Sequence, residues 1–404
     1  MATRLLWLTE TYPPDRGGMA QSCDRIVRHL RRAGVEIVLA HLGRRATDWT
    51  VAPRDGGAEI HGPWDDDAGH AVNRLWSLVE RQHRETPFTH VVAFGGLFPL
   101  LAAPAFAAWL GAPLLTLVRG NDFDTGIFSP KRADVVREAL ARSAIVGAVT
   151  RDQVAKIGAL YPRARVVWTP NGIDLAGWRL GDEDRARGRA WRRAHVDGGG
   201  GDEGRGDTDA DADGGAGVAG GAAQGGRRRV LGLFGQLKIK KGALFFLEAL
   251  AASGQLGRTH LAIVGDVDDA VVAWLRERAP APAYTLLPFR DRYDLLPLFA
   301  AVDLVVLPSF YDGMPNVLLE AAALGVPVLA SDAGAMPDVL GRDGPLLFPA
   351  GDRHACARAI AHALDAGADE LARLGGEARQ RVVDGFDARA ETQRYLDILA
   401  AAVV

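Results

Sequence analysis

Short apolar runs rich in Val, Leu and Ile alternate with helical patterns along nearly the whole chain. In the first half the strand-like runs are RLLWLTE, VEIVLAHL, HVVAFG, PLLTLVRG, AIVGAVT and RVVWTP. Helix-like segments such as MAQSCDRIVRHLRRAG and SPKRADVVREALARS lie between them. The runs are continuously apolar instead of alternating, which implies burial on both faces, as in a parallel sheet covered by helices. The second half repeats the scheme with RRVLGLFGQL, THLAIVGDV, YTLLPFR, DLVVLPS, VPVLAS and PLLFPA. The pattern predicts an α/β chain of two doubly wound domains in series. A chain of 404 residues exceeds what one ordinary core accommodates, in agreement.

One stretch breaks the pattern. Val196 to Gly226, VDGGGGDEGRGDTDADADGGAGVAGGAAQGG, has almost no large apolar side chain. It cannot bury enough surface to offset the entropy of ordering, so it reads as a disordered linker or loop insertion. Its six Asp, one Glu and one Arg carry a net −6 of the chain's −3, which leaves +3 on the rest. DADADG resembles the start of a calcium loop, but the Glu such a loop requires does not follow, so the segment reads as a solvated spacer. The boundaries expected are 1–178 for the first domain, 179–227 for the linker, 228–384 for the second domain and 385–404 for a closing helix.

Composition is that of a soluble globular protein, 48% hydrophobic and 24% charged. The small net charge argues against a nucleic-acid partner. No apolar run reaches bilayer length and MATRLLWLTETYPPD lacks a signal-peptide layout, so the expectation is a cytoplasmic chain. Cys23 and Cys356 sit in helical patterns and read as small buried hydrophobes. The basic segment CDRIVRHLRRAG offers a weak peripheral contact with an anionic membrane; the alternative places Ile26, Val27 and Leu30 on the core and the arginines on a wet face.

The ligand site of an open α/β sheet lies in the loops that leave the carboxyl ends of its strands. Gly17 and Gly18, in the first such loop, allow close approach to a helix N-terminus, or serve only as turn geometry. VRGNDFD puts Arg119, Asn121, Asp122 and Asp124 at the end of another strand, as a site or as a helix cap with surface charge. Asp122 and Asp124 also read as an Asp-x-Asp metal pair, and WDDDAG (Asp65 to Asp67) as a solvated loop. In the second half Lys238, Lys240 and Lys241 crowd one strand-to-helix loop, suited to a diphosphate or simply solvated. In LPSFYDGMPNVLLEAAALGVPVLAS, a helix starting near Pro315 and stopping at Gly325 carries Glu320 among apolar residues. That carboxylate is costly unless something bonds to it. The amides of Asn316, Val317 and Leu318 form a second anion site at that helix start.

GQLKIKKG, LPSFYDGMPNVLLEAAALGVPVLAS and TPNGID (Thr169 to Asp174), with the Gly-Gly loop ahead of them, resemble the retaining family-4 glycosyltransferases. The resemblance covers essentially the whole chain apart from the insertion. It implies the GT-B architecture, two Rossmann-like domains facing a cleft, with an acceptor domain first and a nucleotide-sugar donor domain second. It further implies that Glu320 binds the donor ribose and that Asp312, helped by amides of Gly313, Met314 and Asn316, contacts the transferred sugar. Lys241 neutralises the leaving diphosphate, with Gly18 approaching from the first domain and Gln236 nearby. The base rests on Gly265, Asp266, Phe289 and Arg290. Arg119 and Asp122 sit beside the sugar and the acceptor, with Asn121 and Asp124 on the acceptor side. The closing helix crosses back onto the first domain.

Two positions depart from the family. Asp312 stands where the family usually has Glu, and the shorter side chain retracts the carboxylate by about 1.5 Å. Gln236 stands where the family usually has Arg, and a lost charge-assisted hydrogen bond of about 1.5–3 kcal/mol weakens diphosphate binding about ten- to a hundredfold. Arg119 replaces a frequent His. The function implied is transfer of a hexose-type sugar from a nucleoside-diphosphate donor to an acceptor hydroxyl with retention, and no metal or further cofactor is required. The acceptor, the sugar, the base and the oligomeric state stay open. The alternatives are a non-catalytic nucleotide-sugar-binding subunit and a metal-dependent transferase using Asp122 and Asp124.

Overall fold

The computed structural model describes residues 3–43, 46–64, 67–197, 228–279 and 283–402. The Gly/Asp-rich insertion lies, from residue 198 onward, outside the described residues. The first sheet contains β1 (Arg4–Thr9), β2 (Glu36–Gly43), β3 (Thr50–Arg54), β4 (Gly57–Pro63), β5 (His90–Phe94), β6 (Leu114–Val118), β7 (Ile145–Ala148) and β8 (Val166–Trp168). Their spatial order is β3-β4-β2-β1-β5-β6-β7-β8, and all neighbours are parallel except the β3–β4 hairpin. The second sheet contains β9 (Arg229–Phe234), β10 (Thr259–Val264), β11 (Tyr284–Leu287), β12 (Leu304–Leu307), β13 (Val328–Ser331) and β14 (Leu347–Phe348). Its order is β11-β10-β9-β12-β13-β14, parallel throughout.

Every residue of β1 and β10 is buried, the apolar run of each together with the flanking Arg4, Thr9, Thr259 and His260. Helices cover both faces of each sheet. On the first, Leu75, Phe106 and Leu140 pack on one side, and Ile26, Val27 and Leu30 on the other. On the second, Phe246, Leu250 and Ile360 form one layer and Leu318, Leu319 and Val339 the opposite one. The molecule is thus GT-B in form, two Rossmann-like α/β domains in series.

The helix Ala388–Ala401 lies against the first sheet, where Tyr395, Ile398 and Leu399 join the core formed by Leu5, Trp7 and Ile37. His90 Nε2 meets the Leu399 carbonyl at 3.0 Å. Arg25 holds Glu391 with two hydrogen bonds of 2.9 Å, both side chains being buried. This corrects the expectation of a wet arginine face on the helix Gly18–Arg32. Ile26, Val27 and Leu30 do face the core, but Arg25 is buried and Arg31 reaches Glu59 at 3.4 Å and the carbonyls of Ile37 and Ala58. Cys23 and Cys356 are both buried free thiols.

Candidate functional site

In each sheet the chain reverses its direction of winding beside the first strand, between β1 and β5 and between β9 and β12. A doubly wound sheet opens a crevice at the carboxyl ends of the strands at such a point. The two crevices face each other across a cleft of about 530 Å³. Glu10, Thr11, Gly96 and Leu97 line it from the first switch point, and Gln236, Lys241, Pro308 and Ser309 from the second.

Most residues singled out in the sequence reach this cleft. Gly17, Gly18, Arg119, Asn121 and Asp122 line it from the first domain. Gln236, Lys241, Phe289, Arg290, Asp312, Gly313, Met314, Asn316, Val317 and Glu320 line it from the second, with Asp266. Three do not. The Leu318 side chain is fully buried and its N–H donates to the Pro315 carbonyl at 3.2 Å, so it is no free anion donor. Gly265 passes behind the lining, with room for no Cβ against the Gly235 carbonyl. Asp124 turns away and accepts a 2.9 Å hydrogen bond from Gln153.

On the second-domain wall, Lys241 Nζ pairs with Asp312, whose carboxylate also accepts from Ser309 Oγ at 3.4 Å and from the adjacent Gly313 N–H at 2.9 Å. Burial, and then the neighbouring Lys241 charge, pull the Lys240 ammonium below its ordinary value. The helix Asn316–Ala323 begins after Pro315, whose extended backbone suits a cap, and ends at Gly325 in the left-handed region. The Gly325 and Val326 N–H groups donate back to Ala322 and Ala321. Glu320 lies on the helix face that lines the cleft and is only 3% exposed. The Asn316 side chain crosses the cleft, donating to Gln21 Oε1 at 3.0 Å and to the Gly18 carbonyl at 3.4 Å.

On the other wall Arg119 donates to the Asn171 carboxamide oxygen, to the Thr169 carbonyl at 3.4 Å and to Tyr395 Oη at 3.2 Å, and lies over the Phe94 ring. Asn171 in turn donates to the Met314 carbonyl at 3.0 Å, tying the two domains together beside the cleft. The Asp122 carboxylate accepts the N–H groups of Arg119 and Phe123, yet burial outweighs those bonds and raises it to about 6. The carboxylates of Asp122 and Asp124 therefore diverge, one toward the Arg119 amide and one toward Gln153, and do not converge as a metal pair. Asp67, from the WDDDAG stretch, caps the helix Ala68–Glu85. The Asn121 side-chain oxygen and Thr11 Oγ are buried with no hydrogen-bond partner among the described residues.

Glu10, Thr11, Arg16, Arg132 and Asn171, to which the sequence motifs assign no part, also line the cleft. Asn171 falls inside the quoted TPNGID motif, and Glu10 directly follows β1, so position after a strand was the available signal for both. Among the described residues no helix is long and apolar enough to cross a membrane.

Comparison with known proteins agrees with this architecture. The family model described as Glycosyltransferase Family 4 matches residues 16–176, and that described as Glycosyl transferases group 1 matches residues 228–366. The chain is 34% identical over 113 residues to an MMP alpha-(1->4)-mannosyltransferase of Mycolicibacterium hassiacum, covering 27% of each. It is 34% identical over 176 residues to a glycogen synthase of Mycobacterium tuberculosis, covering 40% of this chain and 41% of that one. The matches thus span well under half of these curated relatives. Among solved structures, a sucrose-phosphate synthase from Thermosynechococcus elongatus superposes with a TM-score of 0.75 at 17% identity, over 99% of this chain and 100% of the other. HepE of Anabaena, in complex with UDP and glucose, gives 0.72 at 18% identity over 99% and 100%. With both halves matched by their family models and the two-domain cleft in place, the chain belongs to the family-4 glycosyltransferases of GT-B architecture.

Proposed function

We propose that the cleft transfers a hexose-type sugar from a nucleoside-diphosphate donor to an acceptor hydroxyl, with retention at the anomeric carbon. The observation that carries this reading is the convergence on one wall of Lys240, Lys241, the start of the helix Asn316–Ala323 and the buried Glu320. Two ammonium groups beside a helix N-terminus suit a diphosphate, and a carboxylate one turn further in suits the paired hydroxyls of a ribose. HepE, of the same fold, is described with UDP and with UDP-glucose, which supports this class of donor.

Residues 228–384 hold the donor in this reading and residues 1–178 present the acceptor. Phe289, Arg290 and Asp266 lie beside the base, and Asp312 with the Gly313 and Met314 backbone contacts the transferred sugar. Lys241 neutralises the departing diphosphate and releases Asp312 to the sugar as it does so. The Asn121 oxygen and Thr11 hydroxyl, without a hydrogen-bond partner among the described residues, face sugar or acceptor hydroxyls together with Asp122 and Arg119. The acceptor hydroxyl attacks the face from which the diphosphate departs and passes its proton to a phosphate oxygen, so rate enhancement comes from positioning and electrostatics.

The test begins with the thermal stability of the chain against UDP, GDP, dTDP, ADP and their common sugars, since a ligand of the cleft raises the midpoint. Lys241→Ala and Glu320→Ala are expected to abolish transfer while the fold persists. Near-full transfer in both variants sinks the proposal. Nucleotide binding without transfer or slow donor hydrolysis would point to a non-catalytic binding subunit instead.

A further inference from the structure

The Arg119 guanidinium brings a positive charge into the cleft, and among the described residues each of its side-chain partners is neutral. Nη1 donates to the Thr169 carbonyl at 3.4 Å and to Tyr395 Oη at 3.2 Å, and Nη2 donates to the Asn171 carboxamide oxygen. Cζ lies 4.9 Å from the centroid of the Phe94 ring. The neighbouring Asp122 carboxylate is engaged by the N–H groups of Arg119 and Phe123. Neutral acceptors fix a guanidinium without cancelling its charge, so Arg119 meets a ligand both held and charged. Phe94 ends β5, and Thr169 and Asn171 follow β8, so these partners come from the first sheet and its connections. Tyr395 does not.

Tyr395 stands on the helix Ala388–Ala401, 276 residues further along the chain and beyond the last strand of the second sheet. Its ring is 2% exposed, and burial raises the hydroxyl above its ordinary value, so the oxygen stays a neutral acceptor. The helix is seated by other contacts. Glu391 pairs with Arg25, the Leu399 carbonyl meets His90, and Ile398 and Leu399 join the core of the first sheet. The helix also lies against the loop that carries Asn171. Ile173 exchanges backbone hydrogen bonds with Phe386 at 2.8 Å and Ala388 at 3.0 Å, and a Cβ on Gly172 would lie 2.8 Å from Glu391 Oε2. Among the described residues the Tyr395 hydroxyl hydrogen-bonds only to Arg119, so it adds to the cleft what the docking of the helix does not require.

We infer that Tyr395 is a positioning residue of the cleft, its hydroxyl holding the Arg119 guanidinium where the transferred sugar and the acceptor meet. The inference rests on the sugar-transfer reading, which places Arg119 beside those groups. The row continues through Asn171, which accepts from Arg119 and donates to the Met314 carbonyl of the facing wall at 3.0 Å. Tyr395 thus touches no substrate and acts through Arg119. The closing helix, although it follows the second domain in the chain, completes the wall of the first.

The experiment is a double-mutant cycle on the full chain, with Tyr395→Phe, Arg119→Ala and the two combined, following release of UDP from UDP-glucose with water as acceptor. Tyr395→Phe is expected to lower kcat about tenfold, the scale of one hydrogen bond to a charged group, with UDP affinity within about twofold of wild type. In the Arg119→Ala background the same substitution should have no further effect, since the hydroxyl then has nothing to hold. An equal loss in both backgrounds overturns the inference, because Tyr395 would then act through packing. An undiminished kcat in Tyr395→Phe alone overturns it too. A second readout needs no turnover. With isotopically labelled arginine, rotation about the Arg119 Cζ–Nε bond should be slow in wild type and faster in Tyr395→Phe, the resonance being assigned by its loss in Arg119→Ala. Rotation that is the same in wild type and Tyr395→Phe overturns the inference. A wild-type chain that neither binds UDP-glucose nor releases UDP counts against the sugar-transfer reading, and the rotation measurement still decides whether Tyr395 holds Arg119.

Discussion

Asp122 shows how the fold can retune a single side chain. Its carboxylate accepts two backbone N–H groups, which favour the ionised form, yet burial dominates and lifts it from 3.8 to about 6. The sign follows from proton counting. Between these two values the folded chain holds the proton and the unfolded chain has released it, so this group's contribution is full below the lower value and is lost as pH rises through about 6. Asp122→Asn removes the titration while keeping one oxygen for the Arg119 amide. Urea denaturation of both proteins from about pH 4 to about pH 7 should show the variant gaining stability relative to wild type across that window. A stability difference that stays flat with pH would show that Asp122 titrates normally. Asp312, its counterpart across the cleft, pairs with Lys241 and accepts the Gly313 N–H instead.

The elements that were legible in the sequence are those whose pattern follows from burial. Strands β1, β2, β5 to β7, β9, β10, β12 and β13 are continuous apolar runs because helices cover both their faces, and each appears where the sequence placed it. The hairpin β3–β4 was not legible. It lies at the sheet edge, β3 is largely solvated, and TVAPR contains a Pro that an edge tolerates. The helix Leu97–Leu110 is not legible either, being apolar nearly all round with Pro104 inside it and thus without helical periodicity. A closing helix on the first domain could be anticipated, but its anchor could not, since Arg25 and Glu391 stand 366 residues apart. Removing one partner of a buried, doubly bonded ion pair leaves an uncompensated charge. Glu391→Ala should therefore cost roughly 3–5 kcal/mol in urea denaturation. Arg28→Ala, which breaks the exposed pair with Asp24, should cost about 0.5 kcal/mol or less. Equal losses in the two variants would mean that the Arg25–Glu391 contact does not anchor the helix.

At the scale of the whole molecule the site exists only because two cores bring their switch points together, and this separates what could be read from what could not. The second-domain wall draws mainly on two stretches, Gly235 to Lys241 and Pro308 to Glu320, so its motifs were visible. The facing wall draws Glu10, Arg119, Arg132 and Asn171 from four separate connections, and no local pattern unites them. The walls meet backbone to backbone at Gly120 and Gly313. A Cβ on Gly313 would lie 2.3 Å from the Arg119 carbonyl oxygen, and one on Gly120 would lie 3.0 Å from the Gly313 backbone. The contact cannot accept even one methyl group without the domains moving apart. Gly313→Ala should therefore leave the second domain folded and able to bind UDP within about threefold of wild type, because that wall is built from one domain. Transfer should fall about a hundredfold, since a displacement on the order of 1 Å between reacting groups has that effect. Parallel measurement of UDP affinity and transfer rate separates the two quantities. Loss of both together would place the effect of Gly313 in donor binding instead of in the approach of the two domains.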